Sequence, residues 1–79
     1  MTYNITRAYS VAMEEAKKLG RNLKRIRMAK SISQGDISRA LEVHKGYISN
    51  IENGKLNPTL ATIAKLAKAI GVSVNELLR

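Results

Sequence analysis

Residues 33–54 read SQGDISRALEVHKGYISNIENG, and the punctuation of this stretch decides the fold. Ser33 can accept an orphan backbone N–H at a helix start, and Asp36 suits the positive end of the helix dipole one turn later. A helix over Ser33 to Leu41 follows, with Ile37 and Leu41 facing inward. A second helix is expected from His44 to Asn53, with Ile48 and Ile51 as its buried pair and Gly54 as a left-handed stop. About three residues separate the two, so the chain must turn sharply between short helices.

Working outward, apolar residues upstream recur at three- and four-residue intervals: Ala8, Ala12, Ala16, Leu19, Leu23 and Ile26 mark one face of a helix from about Thr6 to Lys30. Gly20 falls inside it. A mid-helix glycine costs up to about 1 kcal/mol relative to Ala, so the spacing predicts one helix, bent or weakened at that point, in preference to two. Downstream, Thr59 can cap a helix whose Ile63, Leu66, Ala67 and Ile70 form an i, i+3, i+4, i+7 face ended by Gly71. Ser73 and Glu76 have capping-box spacing and open a last short helix carrying Leu77 and Leu78. The expectation is an all-α chain of five helices: an N-terminal extension over residues 1–15 and one compact domain over residues 16–79.

With 79 residues the chain has room for one small core. It contains no cysteine, which excludes disulfides and thiolate metal sites and suits a reducing, cytoplasmic compartment. No run of about 18 apolar residues could span a bilayer, so no membrane partner is expected. Fourteen Lys and Arg against six Asp and Glu give a formal charge of +8 and point to a polyanion, because neutralised phosphates release condensed counterions. A single histidine, no glycine-rich phosphate loop and no carboxylates paired at catalytic spacing argue against an enzyme, and no cofactor is expected.

Two short helices joined by a tight turn with a third packed behind them match the arrangement in which the second helix enters the DNA major groove. The residues carry the match further. LKRIR at 23–27, Ser33-Gln34, YISNIE at 47–52, Asn53-Gly54 and Asn57-Pro58-Thr59-Leu60 together resemble the phage repressor and Cro type of helix-turn-helix, also called Xre-like, over roughly Leu19 to Leu78. The resemblance implies a lambda-repressor-like fold, here with an N-terminally extended first helix, and a regulator that binds double-stranded DNA in the cytoplasm of a bacterium or as a phage-type protein. The HKGYIS and NPTL segments are similar to controller proteins of restriction-modification systems, with phage repressors and antitoxins as rivals.

Carried over by motif position, the base readers are His44, Lys45, Gly46 and Asn50, with His44 alternatively touching a phosphate or simply beginning the helix. Lys45 can donate to guanine and Asn50 can pair with adenine in a bidentate fashion, whereas Gly46 only permits close approach. The resemblance makes Gln34, at the start of the first motif helix, a phosphate anchor that also props the recognition helix. Ser33, Tyr47, Ser49, Asn53, Lys55 and Asn57 join it as candidate backbone contacts, with Tyr47 alternatively covering the core edge. Arg27 and Glu52 are expected to form a partly buried ion pair with a structural role. Seven cations and no acid lie between Lys17 and Lys30, so Arg21, Lys24 or Arg25 could add phosphate contacts or simply form a solvated face.

A homodimer on a palindromic operator follows from the resemblance, because one recognition helix reads only a few base pairs. The apolar C-terminal segment, Ile70, Val72, Val74, Leu77 and Leu78, is the expected dimer contact, and Val11 and Met13 in the extension form the competing one. A chain of this length has no room for a ligand-sensing domain, so no small-molecule effector is expected. Operator position relative to the promoter and an acidic or basic contact with RNA polymerase would decide activation against repression. Two other readings use the same residues: an amphipathic membrane-surface or calmodulin-target peptide built on the basic first helix, and an antitoxin or protein-interaction adaptor that keeps the fold without the DNA.

Overall fold

The computed structural model describes residues 5–79, with side chains from Arg7 onward. Its described residues form five helices: α1 (Ile5–Ala29), α2 (Gln34–Leu41), α3 (Lys45–Glu52), α4 (Leu60–Ile70) and α5 (Val74–Leu78). Residues 1–4, the far end of the expected extension, lie outside the described residues.

Each boundary has a local cause. Ser33 caps α2 by accepting from the Asp36 N–H at 2.9 Å, and the Asp36 carboxylate accepts from the Ser33 N–H in return, closing a capping box. Thr59 caps α4 and Ser73 caps α5, the latter with Glu76 as its box partner. Gly71 ends α4 in the left-handed region at φ 73°, which glycine enters without the strain a Cβ brings. The chain between Leu41 and His44 turns differently. Glu42 itself takes the left-handed conformation at φ 59°, and its N–H closes back on α2. No glycine marks that stop, so the sequence pattern located the turn by the length between helices alone.

The core is one cluster drawn from every helix: Leu19, Leu23 and Ile26 of α1, Ile37 of α2, Ile48 and Ile51 of α3, Ile63, Leu66, Ala67 and Ile70 of α4, and Leu77 of α5. The inward stripe of α1 outruns this core. Ala16 is its first buried residue, whereas Ala12 is half-buried and Ala8 exposed, so the helical face expected to pack inward continues for about two turns beyond Ala16.

Gly20 has a purpose that helix propensity does not reveal. α1 runs through it as one helix, and a Cβ there would meet the backbone of the end of α3, with the Glu52 carbonyl oxygen 2.5 Å and its carbon 2.8 Å away. Glycine therefore sits at a close helix crossing, as the only residue that lets α1 and α3 approach to this distance. At the other end of α1, the Lys30 ammonium donates to the Ile70 carbonyl at 2.8 Å and the Gly71 carbonyl at 3.3 Å, placing a cation on the negative end of α4. Asn22 donates to the Leu77 carbonyl at 2.7 Å and fixes the end of α5.

Candidate nucleic-acid interface

α3 is amphipathic in the manner a groove-reading helix requires. Ile48, Ile51 and Glu52 are buried, while His44, Lys45, Gly46 and Asn50 all lie exposed on the other side. His44 is the N-cap residue but makes no side-chain capping bond, so its ring is not committed to the helix start. A Cβ on Gly46 would meet nothing within 4 Å, so this position is open space on the exposed face. No group of three or more His, Cys, Asp or Glu among the described residues is placed to hold a metal ion.

The orientation of α3 is fixed by a polar knot at its last residue. Arg27 donates to Glu52 through Nε at 2.6 Å and Nη2 at 3.0 Å, a bidentate fork across α1 and α3. Its remaining Nη1 donates to the Ile32 carbonyl at 3.0 Å, tying in the loop before α2. Gln34 completes the knot by donating Nε2 to Glu52 Oε1 at 2.9 Å. The Glu52 side chain is 2% exposed and that of Arg27 12%, so the pair is largely dry. Its hydrogen bond to Glu52 holds the Arg27 guanidinium charged above its ordinary range, against the desolvation that opposes it.

The other backbone-contact candidates divide by what already occupies them. Gln34 and Ser33 are engaged within the protein, Gln34 at Glu52 and Ser33 in its capping box, so each keeps only part of its hydrogen-bonding capacity for a ligand. Tyr47 is half-buried against the core edge, with its ring serving packing. Ser49 is half-buried and takes a long 3.4 Å bond from the Asn53 amide. Asn53, Lys55 and Asn57 are exposed around the end of α3 and the loop beyond it.

Of the five residues expected at a subunit contact, Ile70 and Leu77 lie in the protein's own core at 2% and 0% exposure. Their periodicity was that of a helix buried within one chain. Val72 and Val74 are half-buried, and Leu78 is exposed. In the competing site Val11 is exposed and Met13 half-buried. Sequence reasoning gave no role to Arg39 or Lys30. Arg39 stands beside a cleft with Lys24 and Lys45, and Lys30 caps α4. An Asp three residues before Arg39 was the available signal for the first, and nothing local signals the second.

Residues 23–77 match the family described as helix-turn-helix. The control protein C.BamHI of Bacillus amyloliquefaciens is 40% identical over 60 residues, covering 75% of this chain and 74% of that protein. The restriction-modification controller protein C.AhdI from Aeromonas hydrophila superposes with a TM-score of 0.76 at 31% identity, over 81% of this chain and 97% of its own. The controller protein C.Esp1396I, solved as a tetramer in complex with its natural 35 base-pair operator, superposes with a TM-score of 0.68 at 26% identity, over 81% of this chain and 95% of its own.

Proposed function

Because this chain belongs to the helix-turn-helix family, we infer that it is a sequence-specific, double-stranded DNA-binding regulator of transcription, acting as a homodimer on a palindromic operator. The observation that carries the reading is α3 itself: its buried face is locked to α1 by the Arg27–Glu52 fork, and its opposite face offers only side chains suited to a base edge or to close approach. Likeness to the control protein C.BamHI and to C.Esp1396I, solved on its operator, supports a controller-type regulator.

In this reading α3 lies in the major groove. Lys45 donates to guanine O6 or N7, Asn50 makes a bidentate pair with adenine N6 and N7, and the bare Gly46 lets the backbone come close. His44 adds a donor or acceptor at the helix start. Asn53, Lys55 and Asn57 follow the phosphate strand past the end of the helix, with Ser33, Gln34, Tyr47 and Ser49 as secondary backbone contacts. Two copies related by a two-fold axis place their recognition helices about 34–36 Å apart, on successive turns of the duplex. Val72, Val74 and Leu78 remain available for the subunit contact once Ile70 and Leu77 are assigned to the core.

Selection from a randomised duplex pool at about 150 mM salt, where non-specific phosphate attraction is partly screened, tests the reading. The expected result is a palindrome with half-sites one turn apart, whose enrichment is lost in Asn50→Ala and Lys45→Ala. Weak, sequence-blind binding by the wild type would remove DNA reading and leave the fold as a protein-interaction module.

A further inference from the structure

Three cations from three helices converge on one open cleft: Lys24 of α1, Arg39 of α2 and Lys45 at the first position of α3. A fourth, Arg27, also lines it, but its charge is matched by Glu52. Arg39 is partly matched by Asp36, with Nη2 2.6 Å from Oδ1, and that carboxylate is shared with the Ser33 N–H. Among the described residues, no acid pairs with Lys24 or Lys45, and no acceptor meets Nε or Nη1 of Arg39. The cleft therefore presents positive charge and unused donors to solvent, beside the exposed face of α3.

Gly35 gives Arg39 room on this side of α2. A Cβ on Gly35 would lie 3.2 Å from Arg39 Nη1, close enough that the exposed guanidinium would shift by a few tenths of an ångström. The Asp36 bond then holds it on that side of α2. Gln34, the phosphate anchor that the family resemblance suggested, has its Nε2 on Glu52 and so is turned towards the interior knot.

We propose that Arg39 and Lys24, together with Lys45, clamp one DNA backbone phosphate in this cleft, and that Arg39 thereby sets the register of the recognition helix without reading a base. The proposal rests on the DNA-binding reading above. A phosphodiester suits the site because it presents two anionic oxygens to a guanidinium fork and to ammonium groups at once. Sharing Lys45 between this phosphate and a neighbouring base edge couples backbone position to base reading.

The test uses the full chain, the selected operator duplex and an unrelated duplex of equal length, with affinity followed from about 50 to 200 mM salt. Arg39→Gln and Lys24→Gln are each expected to lower affinity on both duplexes by a similar factor and to reduce the slope of log K against log salt by about one. Asn50→Ala, in contrast, should weaken the operator alone and keep the slope. Operators carrying single methylphosphonates then locate the contact: one neutralised position per half-site should weaken the wild type and weaken Arg39→Gln by a clearly smaller factor, since Lys24 and Lys45 still face that phosphate. Unchanged slopes in both cation variants, or methylphosphonates that act equally on wild type and Arg39→Gln, would overturn the clamp and leave the DNA reading standing. A wild type that binds neither duplex would overturn that reading and the clamp with it.

Discussion

At the α1–α3 junction the contact is polar and close: Gly20 removes a side chain so that the end of α3 can approach, and Arg27, Glu52 and Gln34 fasten it with charge-assisted bonds. At the junction of α1 with α5 the contact is apolar, with Leu19, Leu23 and Leu77 sharing one cluster with Ile70 of α4, and Asn22 and Lys30 donating to carbonyls at its rim. The second junction supplies burial, which is non-directional and tolerates small shifts. The first supplies direction. It joins the last residue of the proposed recognition helix to a fixed point on α1, so an error there would rotate the exposed face of α3 where an error at the other junction would only loosen the core.

The largest expected effect breaks the polar junction. Glu52→Ala strands the Arg27 guanidinium in a largely dry site and should cost about 3–5 kcal/mol in urea denaturation. A loss below about 1 kcal/mol would mean the pair behaves as an exposed one and that burial alone orients α3. Gly20→Ala comes next. Propensity alone would favour Ala by about 1 kcal/mol in mid-helix, but its Cβ would press on backbone atoms that cannot rotate away, so a net loss of about 1–3 kcal/mol is expected. A stabilised Gly20→Ala would show that the crossing is looser than its geometry implies.

These two junctions were not equally legible in the sequence. Leu66, Ala67 and Ile70 stand on a helical period, Gly71 and Ser73 punctuate it, and the apolar junction could be read from pattern and capping chemistry. Its error was to assign Ile70 and Leu77 to a second subunit, because periodicity says that a face is covered and not by whom. At the polar junction, nothing periodic links Arg27 to Glu52 across 25 positions, and the pair was found through family resemblance. Gly20 was read as a weak point in a helix, since propensity treats a residue alone and the reason for this glycine lies on another helix. The set His44, Lys45, Gly46 and Asn50 came from the family resemblance by motif position, and all four lie exposed opposite the buried Ile48 and Ile51. Arg39 was not legible, because the local sequence signals only its exposed pair with Asp36 and not the cleft it shares with Lys24 and Lys45.

Smaller effects sharpen the contrast at the helix starts. Ser73→Ala removes the hydroxyl that accepts from the Glu76 N–H at 3.2 Å, at the apolar junction. It should cost about 1 kcal/mol, with the denaturant dependence unchanged, since the core packed behind it stays intact. A loss near that of Glu52→Ala would instead make the α5 cap a determinant of the whole junction.

The smallest expected effect lies at Asp36, in the capping box beside the polar junction. The Ser33 backbone N–H, then the Ser33 hydroxyl and Arg39, hold its carboxyl below the ordinary 3.8. A carboxylate stabilised in the folded state binds its proton less readily there than in the unfolded chain, so its contribution is complete above the ordinary value. It fades as the pH falls through that value and is gone below the lowered one. Asp36→Asn should therefore shift the urea midpoint downwards near neutral pH and converge on the wild type as the pH falls below the lowered value. A difference that persisted in acid would belong to the geometry of the cap and not to its charge.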